Sequence, residues 1–260
     1  PYGMILLTGP AGSGKTTTLY AIIRELNSIE KNIITIEDPV EYKLNGINQI
    51  QINPKAGLNF ANGLRSILRQ DPDIIMIGEI RDSETAQIAI RAAITGHLVL
   101  TTLHTNDCPS SITRLVDMGI EPYLVSSAVI GVISQRLVKR LCEYCKVAYE
   151  ASYSEKILLG VDPDKEVVLY RAKGCSLCNN GYFGRIAVHE VMIVNEEMRK
   201  LINERVNTDE LRKCAINSGM TTIMNNLIEL VLKGVSSIEE ILKVCFILER
   251  EESSGYNKFI

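Results

Sequence analysis

A surplus of positive charge is missing: 28 lysines and arginines stand against 31 aspartates and glutamates, giving a formal net charge of −3 and a pI near 5.8. A chain without a basic balance does not wrap a nucleic-acid backbone, so no direct nucleic-acid binding is expected. Any polyanion it holds should be small and locally recognised, as a nucleotide is. Long apolar runs are missing too. The greasiest stretch, residues 123–133, is broken by Ser126, Ser127 and Gly131 and reads as a buried helix, short of the roughly 18–20 apolar residues a membrane span needs. Any membrane association is therefore expected to be peripheral. An initiator methionine and a signal-peptide pattern are missing from the start of the sequence, which reaches a glycine-rich loop at Gly9 only eight residues after it begins at Pro1, so it is expected to be an excised piece whose preceding domains are absent. Internal repeats and low-complexity segments are lacking as well.

What is present is a chain of 260 residues, 46% hydrophobic and 23% charged, enough for one large core or a core with a small satellite domain. Short apolar runs at residues 4–8, 33–36, 74–77 and 98–102 are too brief for helices and end in polar or charged residues, as buried central strands do. Between them, residues 16–26, 60–69 and 83–94 carry apolar side chains at helical spacing. Strands alternating with helices predict an α/β domain with a mainly parallel sheet and its ligand at the carboxyl ends of the strands. The alternation in residues 47–52 suggests an added hairpin or edge strand. Helical spacing returns at residues 198–202, 211–216, 223–232 and 238–244, a C-terminal helical group.

Gly9, Pro10, Ala11, Gly12, Ser13, Gly14, Lys15 and Thr16 match the phosphate-loop pattern at every fixed position, and they sit between a predicted strand and a predicted helix, as the motif requires. The glycines let consecutive N–H groups face a phosphate, and the helix N-terminus adds partial positive charge. Lys15 can reach the β and γ phosphates and Thr16 can ligate magnesium, with Thr17 completing the nucleotide-binding stretch. Residues 74–79 form a buried strand ending in Glu79, where a carboxylate can meet magnesium and the attacking water. Glu37, Asp38 and Glu41 form a second acidic cluster after another strand, and which acid takes the proton stays open. His104 follows a third strand and is placed to sense the γ phosphate; His97 precedes that strand, and His189 reads as structural. Arg65, Arg69 and Arg81 near Glu79 have solvated surface charge as their default reading.

Seven cysteines include two Cys-x-x-Cys pairs, Cys142/Cys145 and Cys175/Cys178, separated by 29 residues. Two such knuckles can supply four thiolates to a closed tetrahedral zinc site with no open position for chemistry, and they suit a reducing cytoplasm better than a disulfide framework does. Redox dithiols or metal-free thiols are the competing readings. Cys108, Cys214 and Cys245 read as small buried hydrophobes.

In order and spacing, the phosphate loop, residues 35–41, residues 68–82 and residues 95–106 resemble the Walker A, aspartate-box, Walker B and histidine-box motifs of the ATPases of bacterial type II secretion and type IV pilus assembly. The similarity runs on through Gln135, Arg136, Leu137 and Val138 and both cysteine pairs to Gly181–Arg185. It departs at Ala11, where threonine is commoner, and at Asn226, where glycine is expected. The resemblance implies a P-loop NTPase of the RecA-like class, with ATP, magnesium and zinc as its cofactors. It further implies a homo-hexameric motor in the cytoplasm, peripheral at the inner face of the inner membrane, working with platform and adaptor proteins to drive pilin or pseudopilin polymerisation. The four cysteines favour the assembly and secretion branch over retraction motors. The expected organisation is an ATPase core at 1–141, a four-cysteine zinc subdomain at 142–185, a C-terminal helical region at 186–248 and a flexible tail at 249–260. A nucleotide-regulated binding module and a P-loop nucleic-acid translocase are the alternative functions.

Overall fold

The computed structural model describes residues 2–245. The expected tail at 249–260, and the last residues of the expected helical region, lie outside the described residues. In chain order the elements are β1 (Gly3–Thr8), α1 (Lys15–Leu26), β2 (Ile33–Glu37), β3 (Asn48–Gln51), a 3-10 turn (Pro54–Ala56), α2 (Phe60–Ile67), β4 (Ile74–Ile77), α3 (Ser83–Ile94), β5 (Leu98–Leu103), α4 (Cys108–Asp117), α5 (Pro122–Ala128) and β6 (Val129–Leu141). There follow β7 (Val147–Glu150), α6 (Tyr153–Leu158), β8 (Val168–Arg171), β9 (Tyr182–Ile193), α7 (Glu196–Asn203), α8 (Thr208–Asn217) and α9 (Ile223–Leu232), and residues 238–245 are helical again.

The described residues divide into two compact units, 2–135 with 190–220 and 136–189 with 221–245. In the first, the sheet order is β3-β2-β4-β5-β1-β6-β9, and every pairing from β3 to β6 is parallel. Strands β1, β2, β4 and β5 are buried on both faces, as expected where helices cover both. Met4, Leu6, Ile36, Ile75, Ile77 and Val99 enter one core with side chains of α2, α3, α4, α5, α7 and α8. Leu7, Ile33, Ile74, Met76 and Leu100 face α1, where Leu19, Tyr20 and Ile23 are fully buried. Burial of each of these three stabilises the α1 packing by about 1.5–3 kcal/mol.

Because all these strands run the same way, their carboxyl ends share one edge. The register sets Ile36 beside Ile77, Ile77 beside Thr101 and Glu37 beside Gln51, so Gly78, Glu79 and the residues after Glu37 emerge together. Asp82 caps α3 by accepting from the Thr85 N–H at 2.8 Å, and Asp107 caps α4 by accepting from the Ser110 N–H at 2.8 Å. These caps fix where the helices begin after the site loops.

Two expectations are corrected, and a third is resolved between its alternatives. Residues 123–133 are not one helix: α5 ends at Ala128, and Val129, Gly131, Val132 and Ile133 pair in parallel with β1, where β-branched side chains fit a buried strand. Residues 47–52, expected as a hairpin or an edge strand, are the latter: β3 lies at the sheet edge and pairs in parallel with β2. The C-terminal helices do not form one group, and the stretch from residue 186 opens as strand β9. Met198, Ile202, Leu211 and Cys214 of α7 and α8 join the core of the first unit, whereas Ile223, Leu227 and Val231 of α9 join Val138, Leu169, Val188 and Ile241 in the core of the second. The division by packing therefore falls at 135/136, 189/190 and 220/221 rather than at the expected boundaries. Helical periodicity shows that a face is buried but not which core receives it.

Candidate functional site

At the carboxyl edge of the first unit's sheet lies a cleft of about 380 Å³ lined by Ala11, Gly12, Lys15, Thr16, Glu37, Asp38, Pro39, Glu41, Met76, Gly78, Glu79, Thr102 and His104. The loop from Thr8 to Lys15 turns through left-handed glycines, Gly12 at φ 75° and Gly14 at φ 86°. Gly14 is the N-cap of α1 and offers no side chain to the first-turn N–H groups. Ser13 Oγ is buried without a hydrogen-bond partner. Lys15 is 8% exposed and donates from Nζ to the carbonyls of Gly9 and Pro10 at 2.7 and 3.0 Å, which folds the amine back on its own loop. Burial pushes its pKa down, and the nearby charge of Glu79 partly opposes this.

The expected acids come together here, in different states. Glu37 is 2% exposed, and its carboxylate accepts from the Tyr20 hydroxyl, from Thr35 Oγ1 at 2.5 Å and from Gln49 Nε2 at 3.2 Å. With both oxygens engaged it serves as an anchor in this conformation. Asp38 and Glu41 are exposed at the cleft rim. Glu79 sits at the end of β4, next to Gly78, whose N–H donates to the Ile36 carbonyl at 2.8 Å and whose carbonyl accepts from Thr102 Oγ1 at 2.7 Å. Arg81 pairs with Glu79 Oε1, and His104 Nε2 lies 3.3 Å from Oε2. Burial alone pushes the Glu79 carboxyl up, but the Arg81 hydrogen bond and charge, then His104, outweigh it and hold the group below the usual carboxylate range. Glu79 is thus a carboxylate throughout the neutral range.

Other expected residues stand apart from the cleft lining. Thr17 is exposed on α1, and His97 lies before β5, at the strand's far end, with Nδ1 2.9 Å from the Ala92 carbonyl. His189 is held below its ordinary pKa by burial. Arg65 pairs with Glu84 at 2.5 Å on the surface. Gln135 belongs to the site although no role was read for it beyond the resemblance. Its Nε2 donates to the Ser13 carbonyl at 2.7 Å, and its Oε1 accepts from Thr18 Oγ1 at 2.7 Å, bracketing the phosphate loop from β6. Tyr20 and Gln49 carry no signal in the sequence, because an apolar-looking helix position and an edge-strand glutamine do not show their contacts locally.

In the second unit, Cys142, Cys145, Cys175 and Cys178 gather with all four sulfurs within 4.8 Å of one another, a cluster that can hold a metal ion. Cys142 and Cys175 have their sulfurs 4.0 Å apart, Cys145 and Cys178 3.7 Å, and Cys175 and Cys178 3.6 Å. Burial pushes the Cys178 thiol up, but N–H donors at Cys175 and Gly181 and the neighbouring sulfurs bring it down to about 7. Cys108 and Cys214 are buried outside the cluster.

Residues 1–243 match the family model described as type II/IV secretion system protein. The chain is 53% identical over 245 residues to a type II secretion system protein E of Pseudomonas aeruginosa, covering 94% of this chain and 49% of that protein. It is 49% identical over 245 residues to the type II secretion system ATPase E of Vibrio cholerae, covering 94% and 48%. It is 50% identical over 246 residues to the type IV pilus assembly ATPase PilB of Thermus thermophilus, covering 93% and 28%. The chain therefore spans about half or less of the length of these relatives. Among solved structures it superposes on the pilus retraction motor PilT with bound ADP at a TM-score of 0.71 and 32% identity, covering 94% of this chain and 61% of that one.

Proposed function

Because this chain belongs to the type II/IV secretion system protein family, we propose that its first unit binds magnesium ATP and hydrolyses it as the motor domain of a secretion or pilus assembly machine. One observation carries the reading: a single cleft gathers the phosphate loop, the ionised Glu79 and the exposed Glu41 on the carboxyl edge of a parallel sheet. Magnesium, when bound with the nucleotide, would neutralise charge on the phosphate oxygens. Thr16 is the residue suited to ligate it, and Lys15 leaves its loop carbonyls to meet the β and γ phosphates. The N–H groups of Gly12, Ser13, Gly14, Lys15, Thr16 and Thr17 form the cradle. Glu79 orients the lytic water, Glu41 supplies the second carboxylate, and His104, already beside Glu79, reads the γ phosphate. Glu37 fixes the acidic loop from behind.

Phosphate release from magnesium ATP tests this over a range of protein concentrations, with equilibrium ATP binding in parallel. Lys15→Ala should lose binding. Glu79→Gln and Glu41→Gln should bind but turn over about 100- to 10,000-fold more slowly. Turnover that survives both acid substitutions refutes the assignment, and tight binding without turnover at any concentration favours a nucleotide-regulated binding module instead.

The names of the relatives support a place in a secretion system or in type IV pilus assembly; coupling to pilin or pseudopilin polymerisation by a homo-hexamer, cytoplasmic and peripheral at the inner membrane and engaging platform and adaptor proteins, is the finer reading we propose from the resemblance of the motifs. Among the described residues no helix is long and apolar enough to cross a membrane. For the cysteine cluster we propose zinc. A tetrahedral ion about 2.3 Å from each thiolate sets its sulfurs about 3.8 Å apart, close to the separations in the cluster. With four protein ligands such a site is closed and structural.

A further inference from the structure

The backbone that carries Glu41 is held at four points by side chains outside its loop. The Val40 N–H donates to Gln51 Oε1 at 3.4 Å, the Glu41 N–H to the Tyr20 hydroxyl at 3.3 Å and the Leu44 N–H to Gln49 Oε1 at 2.7 Å, while the Tyr42 carbonyl accepts from Gln49 Nε2 at 3.2 Å. The Tyr42 ring adds an edge-on contact to Tyr20, with centroids 4.8 Å apart. Two of these residues also meet each other and the buried acid: Gln49 Nε2 lies 3.3 Å from the Tyr20 hydroxyl, and both donate to Glu37.

The placement of these groups gives the contacts a direction. Tyr20 is fully buried on α1, the helix that begins at Lys15, so its hydroxyl is fixed relative to the phosphate loop. Gln49 is on the edge strand β3, in register with Thr35 of β2. A buried carboxylate at the end of a sheet strand is costly unless it is fully hydrogen-bonded, and among the described residues Glu37 meets that condition through Tyr20, Thr35 and Gln49. Burial and the Glu37 charge hold the phenol proton on Tyr20, so the hydroxyl donates to Glu37 and has its lone pairs left for the Glu41 N–H.

We propose that Tyr20 and Gln49 are positioning residues that lock the Asp38–Leu44 loop to α1, so that the Glu41 carboxylate keeps its place opposite the phosphate loop. The inference rests on the reading of the cleft as an ATP-hydrolysing site. The mount is a polar one: Tyr20→Phe keeps the ring packing but removes the link between helix and loop, and Gln49→Ala removes the link between edge strand and loop.

The test compares the full-length protein with Tyr20→Phe, Gln49→Ala, Glu41→Gln and the two double variants that combine each mount substitution with Glu41→Gln. It measures kcat and KM for ATP, and separately the rate of native-state tryptic cleavage after Lys43, an exposed residue of the loop. Each mount substitution should lower kcat by about 10- to 100-fold with KM within about twofold, because a misplaced group costs rate rather than binding. Each double variant should be no slower than Glu41→Gln alone, and cleavage after Lys43 should quicken in both mount variants. Single variants with wild-type kcat, losses that multiply in the doubles, or a Glu41→Gln that keeps wild-type kcat would each overturn the inference while leaving hydrolysis intact. A wild-type protein without turnover would overturn the hydrolysis reading first and this inference with it.

Discussion

Two glycines of the phosphate loop, three residues apart, should respond differently to the same substitution. Gly9 has φ 139°, and a Cβ there would lie 2.3 Å from the Gln135 carbonyl oxygen and 2.8 Å from Ser13 Oγ. Gly12 has φ 75°, and a Cβ there would meet nothing within 4 Å. Gly12→Ala therefore incurs only the cost of a left-handed backbone, about 1–2 kcal/mol. Gly9→Ala adds to backbone strain of about 1–3 kcal/mol a clash with backbone that cannot rotate away, on the order of 1–3 kcal/mol more. At about 2–4 °C per kcal/mol for a chain of this size, Gly12→Ala should lower Tm by about 2–8 °C and Gly9→Ala by clearly more, on the order of 10 °C. The assay is scanning calorimetry without nucleotide, followed by equilibrium ATP binding for whatever remains folded. Gly9→Ala should also weaken ATP binding, since it displaces the carbonyl that holds Lys15 and the Gln135 contact behind Ser13. Equal Tm values for the two variants would refute the argument, because the close approach to β6 is the main difference between the positions.

Removal of zinc by a strong chelator should release one equivalent per chain and destabilise the second unit, and Cys145→Ser should do the same; full folding with no bound metal would count against the site. Leu227→Ala, which empties a fully buried position in the second unit's core, should cost about 2–5 kcal/mol in denaturant unfolding, and a loss under 1 kcal/mol would mean that core is not packed as described. The depressed carboxyl of Glu79 contributes stability that is fully present above its unfolded value near 4.5 and is lost as pH falls through its lower folded value. Unfolding measured from pH 7 down to pH 3 should therefore show a shallower acid decline in Glu79→Gln than in the wild type, and parallel curves would contradict the ion pair with Arg81.

Much of the site was legible because its chemistry is local. The phosphate loop depends on glycines at fixed offsets between a strand and a helix, and Glu79 marks the end of an apolar run four residues long; both lie where expected. The cysteine pairs were legible as well, since each knuckle is a short local turn. Less legible were the residues that act across the fold. Gln135 lies 122 residues from Ser13, and Gln49 lies 12 from Glu37 on a weakly patterned edge strand, so neither shows its partner in its own neighbourhood. Residues 123–133 misled because a short apolar run fits a buried helix and a buried strand equally well, and only pairing with β1 decides between them.

The sequence alone determined the alternation of strand and helix, the mainly parallel sheet, the edge on which its candidate site lies and each Cys-x-x-Cys pair, because these follow from periodicity or from fixed spacing along short stretches of chain. Tertiary structure decided the rest. It chose between the two cores for α7, α8 and α9, buried Glu37 against the Tyr20 hydroxyl, and made Arg81 and His104 the partners of Glu79. These outcomes depend on which side chains meet across long stretches of chain, and burial and charge act on those meetings rather than on the order of residues.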